Sequence, residues 1–288
     1  MKILVTGSNG QLGRSLQREF KDSPEFDITY SDIETLDITN REAVGRFIAD
    51  NKFDLIINCA AYTAVDRAET DDLMAARLNT EAVGYMAEAA ARHGVKVLHI
   101  STDYVFSGES FRPYYENDEP YPHSIYGRTK LEGEGILKSY CPDSIIIRTA
   151  WLYSEFGNNF VKTMLRLVGE GKHLRVVSDQ IGTPTYAGDL AYAIRKIVAS
   201  KEWRPGIYHF TNEGVASWYD FAIAILENSG HQASEVTPVN TVDYPTPARR
   251  PQYSVLSKNK IKSTFDLKIP YWIDSLRKCL RRMNQPAD

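Results

Sequence analysis

Ile3-Leu4-Val5-Thr6-Gly7-Ser8-Asn9-Gly10-Gln11-Leu12-Gly13 stands at the head of the chain: a short apolar run, a turn carrying three glycines, and the opening of a helical pattern. Glycine is needed where the backbone must take positive φ and approach a pyrophosphate closely. The helix that follows offers free N–H groups and the positive end of its dipole. The spacing is GxxGxxG, not the GxGxxG fingerprint, and by itself it also fits a tight turn that binds nothing. The strand before it, the helix after it and its place at the start of the fold favour a dinucleotide site. Asp32 lies about twenty residues on, where an acidic residue meets the adenosine ribose 2′-OH and discourages a 2′-phosphate. Arg14 could offset that repulsion, so both NADPH and NADH stay open as cofactors.

Outward from this turn the first half alternates short apolar runs with amphipathic stretches. Strands are expected at Ile3 to Val5, Asp27 to Tyr30, Leu55 to Asn58, Val95 to Ile100 and Ser144 to Ile147, with helical patterns starting near Gln11, Asn40, Asp71 and Ser124. This alternation argues for βαβ units, hence an α/β fold with a doubly wound, Rossmann-like parallel sheet. After Trp151 the pattern loosens. Helical stretches near Asn159 to Val168, Gly188 to Ala199 and Trp218 to Asn228 are interleaved with strands at Arg175 to Ser178 and Ile207 to Phe210, and prolines gather at 238, 245, 247 and 251. The expected division is a dinucleotide-binding domain over 1–150 and a smaller, mainly substrate-binding lobe over 151–288, with roughly 175–212 packing back on the first domain.

Tyr126 and Lys130, four residues apart in a helical pattern over Ser124 to Ser139, share one helix face. A free tyrosine titrates near pH 10, too high for ready proton exchange at neutrality. A neighbouring ammonium favours the phenolate; bringing the value down by about three units takes about 4 kcal/mol of differential interaction, expected from the lysine one turn away together with the positive oxidised nicotinamide. Ser101-Thr102-Asp103-Tyr104 follows the strand ending at Ile100, and in doubly wound sheets ligands bind beyond the carboxyl ends of strands. Thr102 is therefore placed to hydrogen-bond a reacting carbonyl oxygen. Each motif alone has a plain structural reading; the glycine turn, strand-end threonine and YxxxK in this order point to nicotinamide-dependent reduction.

With these motifs the chain resembles the extended short-chain dehydrogenase/reductases, and within them the dTDP-4-dehydrorhamnose reductases. The narrower resemblance also runs through Leu36 to Thr39, Asn58 to Asp66, Ser101 to Phe106, Tyr126 to Glu134, Arg148 to Trp151, Asn159-Phe160, Asp179 to Thr185 and Arg250-Pro251. It implies that Gly7, Gly10, Gln11, Leu12, Gly13, Asp32, Asp37, Ile38, Ala61, Tyr62 and Thr63 line the dinucleotide. Thr102, Asp103, Trp151 and Arg250 would meet a dTDP-sugar substrate. Tyr126 would donate the proton, and Lys130 would hold the nicotinamide ribose. The implied reaction is reduction of a C4 ketone, the last step in making dTDP-rhamnose for cell-surface polysaccharide. One departure is Ser107, where the family usually carries aspartate before Gly108; it is expected to affect a turn only. Two alternatives stand beside this reading. One is another sugar-nucleotide ketoreductase, epimerase or dehydratase of the superfamily, although the dehydratases usually carry Asp-Glu after the threonine where this chain has Asp103-Tyr104. The other is a non-catalytic nucleotide-sensing subunit, which would not need a complete triad.

The remaining residues bound the answer. In 288 residues, 43% hydrophobic, 25% charged and with a formal net charge of −3, nothing calls for nucleic acid or an anionic membrane as partner. No run approaches the about eighteen apolar residues of a membrane span, and Met1-Lys2 leading straight into the glycine turn argues against a signal peptide. Three widely spaced cysteines suit a reducing cytoplasm, and no acidic or His/Cys cluster has metal-ligand spacing. A homodimer is compatible with the sequence. Trp151 could stack on the nucleotide or be buried; Arg249 or Arg250 could pair with a diphosphate or lie on the surface. His99 and His123 read as structural, Asp66 and Glu69 as a solvated helix start, and Tyr114, Tyr115 and Tyr121 as packing beneath a loop.

Overall fold

The computed structural model of the chain describes residues 1–232 and 236–285. Its first half runs β1 (Lys2–Thr6), α1 (Gln11–Phe20), β2 (Asp27–Ser31), α2 (Arg41–Asn51), β3 (Leu55–Asn58), α3 (Val65–Ala68), α4 (Asp72–Ala76), α5 (Ala82–His93), β4 (Lys96–Thr102), α6 (Ile125–Tyr140) and β5 (Ile145–Thr149). A π-helical turn, Arg77–Glu81, joins α4 to α5. The second half runs β6 (Leu152–Tyr153), α7 (Phe160–Gly169), β7 (Leu174–Val177), β8 (Ile181–Gly182), β9 (Thr185–Tyr186), α8 (Ala187–Val198), β10 (Gly206–His209), β11 (Ala216–Ser217), α9 (Trp218–Asn228), β12 (Val236–Val239), α10 (Asn259–Phe265) and α11 (Trp272–Met283).

Six strands form one parallel sheet in the order β10-β5-β4-β3-β1-β2. Leu-Ile-Ile-Asn of β3 and Ile-Ile-Ile-Arg-Thr of β5 are buried at every position, as strands covered by helices on both faces must be. Leu12, Leu16 and Ile194 of α1 and α8 pack on one face, and Val44, Met86 and Leu137 of α2, α5 and α6 on the other. Side chains start the helices: Asn40 accepts from the Ala43 N–H, Ser124 from Gly127, and Ser217 forms a capping box with Asp220. The strand order reverses between β1 and β3, so a crevice opens beyond their carboxyl ends.

Two expectations need correction in detail. The strand expected to end at Ile100 continues to Thr102, which pairs with Thr149 of β5, so Thr102 is the last strand residue and not part of the loop. The segment 175–212 divides. α8 and β10 join the first sheet and its core, whereas β7 pairs with β12 in a separate two-stranded ladder. There α7, α9 and α11 close a second core around Phe221 and Trp272.

Candidate active site

The glycine turn lies at the carboxyl end of β1. Gly7 has φ +65°, and a Cβ on it would stand 2.7 Å from Ala60 N; one on Gly13 would stand 2.4 Å from Gly7 O. Gly10 is the N-cap of α1 and supplies no side-chain cap, which leaves the helix start open to an anion. Asp32 reaches back to this turn and accepts from the Asn9 N–H at 2.8 Å. Gln11 spans the lobes: its Oε1 accepts from Ser154 Oγ at 3.2 Å and Asn159 Nδ2 at 3.0 Å. Leu12 and Ile38 pack into the cores on the two faces of the sheet and are 5% and 7% exposed. Asp37 accepts from the Thr39 N–H and hydroxyl at 2.9 and 2.7 Å, bonds that hold its carboxyl below the usual range.

Ala61, Tyr62 and Thr63 follow β3, and the residue that orders them was not among the candidates. Asn79, fully buried in the π-helical turn, accepts from the Tyr62 N–H at 2.9 Å and donates to Tyr62 O at 3.1 Å and to Thr129 Oγ1 at 3.2 Å. The turn thereby clamps the loop over the crevice to α6. An asparagine inside a helical pattern gives little local signal; the π turn that aims it is a tertiary feature.

Thr102, Tyr126 and Lys130 are brought together by the approach of α6 to the end of β4. Gly127 makes that approach feasible, since a Cβ there would lie 2.2 Å from Tyr104 O. Thr102, 4% exposed, donates its hydroxyl to Asp103 Oδ1 at 3.0 Å and accepts from the Tyr104 N–H at 3.2 Å. Tyr104 stands edge-on to Tyr126, with ring centroids 5.5 Å apart. Burial pushes the Tyr126 phenol up to about 12, with Thr102 acting the other way. Lys130 is not among the groups that shift this phenol. Lys130 Nζ is engaged instead by Ile100 O at 2.7 Å and His99 Nε2 at 3.2 Å, and burial brings it down to about 8, with Glu134 and Cys59 acting upward.

Beneath the triad lies a dry polar layer. Arg148 meets Glu134 through Nε–Oε1 and Nη2–Oε2 at 2.9 and 2.7 Å. Both side chains are almost wholly buried, and Ser101 donates to the same carboxylate. His99, read as structural, belongs to this layer and touches Lys130 directly.

Just past β5, Trp151 takes φ +49°. Its indole lies parallel to Trp218 with centroids 3.7 Å apart, and Gly182 sits against the ring, where a Cβ would be 2.6 Å from Cε2. Asp103 is buried, with Oδ2 unpartnered. Burial pushes its carboxyl up to about 6, against hydrogen bonds from Ser254 and Thr102. Arg250 is committed to Asp66 through two bonds of 2.9 and 2.7 Å, and Arg249 to Glu109 at 2.7 Å. Asp66 and Glu69 are thus not a solvated helix start: Glu69 also accepts from the Ile125 N–H at 2.9 Å and steadies the beginning of α6. Of the three tyrosines, Tyr114 stacks on Phe106, but Tyr115 and Tyr121 are exposed. Ser107 accepts from the Glu109 N–H at 3.3 Å within a turn.

The cradle of Gly7 and Gly13, the open start of α1 and the orphaned Asp103 oxygen fit a dinucleotide laid toward a polar substrate. Among the described residues no group of three His, Cys, Asp or Glu could hold a metal ion, and no helix is long and apolar enough to cross a membrane. The family model described as the RmlD substrate binding domain matches residues 1–285. The chain is 45% identical to the dTDP-4-dehydrorhamnose reductase of Aggregatibacter actinomycetemcomitans, covering 96% of this chain and 97% of that protein. It is similar to the crystal structure of a dTDP-4-dehydrorhamnose reductase from Clostridium acetobutylicum, with 43% identity and TM-score 0.92 over 99% of this chain and 100% of that one. The enzyme of that name from Bacillus anthracis, solved in complex with NADP, shows 39% identity and TM-score 0.93 over 98% and 99% of the two chains.

Proposed function

The chain belongs to the RmlD family of dTDP-4-dehydrorhamnose reductases, and from that premise we propose that Thr102, Tyr126 and Lys130 carry the reduction of the C4 ketone of dTDP-4-dehydro-L-rhamnose to dTDP-L-rhamnose. Bound NADPH or NADH supplies the hydride; the chain supplies position and the proton. The supporting observation is the close approach of α6, which carries Tyr126 and Lys130, to the carboxyl end of β4, where a Cβ on Gly127 would lie 2.2 Å from Tyr104 O and Tyr104 stands edge-on to Tyr126. With its phenol raised to about 12, Tyr126 enters the reaction protonated, the form a ketone reduction requires. It gives that proton to the C4 oxygen as hydride arrives at C4. Thr102 hydrogen-bonds the same oxygen, Lys130 holds the nicotinamide ribose, and Gly7, Gly10, Gln11, Gly13 and Asp32 seat the dinucleotide. Asp103 and Trp151 form the sugar wall. Arg250 reaches a diphosphate only by sharing its guanidinium with Asp66.

Tyr104 argues against elimination chemistry: it packs edge-on against Tyr126 where a dehydratase would place a second acid. The dTDP-sugar is the partner in this reading. We place the reaction in the cytoplasm, in keeping with three free cysteines. The test is absorbance at 340 nm on mixing purified protein with NADPH or NADH and dTDP-4-dehydro-L-rhamnose. Oxidation that yields dTDP-L-rhamnose supports the assignment; a folded protein that oxidises neither cofactor with this ketone overturns it.

A further inference from the structure

Tyr126 stands in the first turn of α6, the least secure part of any helix. The first N–H groups of a helix have no partner within it, and an end whose amides are left free frays. No element upstream braces this end: residues 115–123 form neither helix nor strand, and Pro120 and Pro122 have no N–H to tie them to a neighbour. Yet the phenol can deliver a proton to one particular oxygen only if this turn is fixed, since a misplacement of about 1 Å can cost about a hundredfold in rate.

Contacts on either side of Tyr126 fix the turn. Ser124 Oγ accepts from the Gly127 N–H at 3.1 Å, and Gly127 fits closely under Tyr104 O. The other contact comes from far away in the chain: Glu69 Oε1 accepts from the Ile125 N–H at 2.9 Å, across a separation of 56 residues. One acceptor holds the residue after Tyr126 and the other the residue before it, so the pair brackets the proposed proton donor. A carboxylate is also the charge that the positive end of a helix favours. We infer that Glu69 is a positioning residue for Tyr126: through the Ile125 N–H it fixes the first turn of α6 and with it the direction of the phenol.

Glu69 can act as an anchor because its own segment is held. It follows directly on α3, where Ala68 is fully buried. Asp66, three residues before it, accepts from the Ala248 N–H at 3.2 Å and from Arg250 at 2.9 and 2.7 Å. The Glu69 N–H bonds back to Asp66 O at 3.4 Å. A brace therefore runs from residues 248–250 through α3 to the start of α6. Its catalytic consequence rests on the role proposed above for Tyr126; the fixing of the turn does not, and it is measured on the protein without cofactor or substrate.

The experiment compares Glu69→Ala with Glu69→Gln, whose side-chain carbonyl still accepts a hydrogen bond although the charge is gone. In steady-state reduction of the sugar nucleotide, kcat of the alanine variant should fall by about 10–100-fold, while KM and cofactor affinity stay within about threefold. The glutamine variant should keep most of the wild-type kcat. If Glu69→Ala does not fold, Glu69→Met, which fills the space without an acceptor, takes its place. In the second arm, amide hydrogen exchange of ligand-free ¹⁵N-labelled protein should quicken by about tenfold or more at residues 125–127 in the alanine variant, with residues 131–137 in the middle of α6 unchanged. A wild-type kcat without the acceptor, a glutamine variant as slow as the alanine one, a loss shared equally by cofactor affinity, or unchanged exchange at 125–127 overturns the inference. Failure of the wild-type protein to reduce the sugar nucleotide would refute the proposed function and leave the exchange result standing, so the two readings fail separately.

Discussion

Gly182→Ala adds one methyl where Trp151 has no room to yield. The new Cβ would stand 2.6 Å from Cε2 and 2.7 Å from Cζ2 of the indole, whereas carbons rest at about 3.5–4.0 Å. The ring must therefore withdraw by about 1 Å. It is already in contact with Trp218 at 3.7 Å, and Trp218 leans on Phe160 at 4.7 Å, so the displacement passes into an aromatic stack that is closed behind. The backbone of Gly182 is not in the left-handed region, so the perturbation is one of volume alone. Overpacking of this kind costs about 1–3 kcal/mol. If it is expressed as a misplaced Trp151, the KM for the sugar nucleotide rises by about 5–150-fold. Cofactor affinity, set at the glycine turn on the other wall, should stay within about threefold. Steady-state kinetics with varied sugar nucleotide and a fluorescence titration of cofactor separate the two. Trp218→Phe in the same chain, by giving the indole space, should recover part of the loss. An unchanged KM in a variant of normal stability would remove Trp151 from the substrate wall, and absence of recovery would refute the closed-stack argument.

Tyr126→Phe should lower kcat by about 10²–10⁴-fold while cofactor affinity holds; wild-type turnover would take Tyr126 out of the mechanism. Glu134→Gln leaves the Arg148 guanidinium buried without its counter-charge, a loss of about 3–5 kcal/mol that calorimetry should register as a fall in Tm on the order of 10 °C. Combining Glu134→Leu with Arg148→Met, which removes both charges together, should restore much of it. Asp32→Ser removes a carboxylate beside the expected 2′-phosphate position, so the ratio of kcat/KM for NADPH over NADH should rise by several-fold, about 1 kcal/mol; an unchanged ratio would place the ribose elsewhere. The carboxyl of Asp66 is held below its usual range, chiefly by Arg250. A depressed folded value contributes stability above about pH 4 that is lost as pH falls through it. Hydrogen exchange across 245–251 should therefore quicken only in acid below about pH 4, and quickening already at neutral pH would refute that role for the pair.

Short-range pattern made much of this protein legible from the chain alone. The alternation of buried runs such as Ile145 to Ile147 with amphipathic stretches, the glycines after β1, and the four-residue spacing of Tyr126 and Lys130 are local, because strand and helix periods and positive-φ turns are set within a few residues. These features determined the layered α/β fold, the crevice at the carboxyl ends of β1 and β3, and which residues share a helix face. What only the tertiary structure decided is what those residues touch. Leu12 and Ile38 turn into the core, Arg250 is held by Asp66, and Trp151 is wedged between Trp218 and Gly182. Asn79 orders a loop seventeen residues before it. Lys130 meets His99 and the carbonyl of Ile100. Each of these depends on contacts between segments far apart in the chain, and on the depth at which a charge lies. Burial and partner geometry, which set a proton's place, have no local signature in sequence.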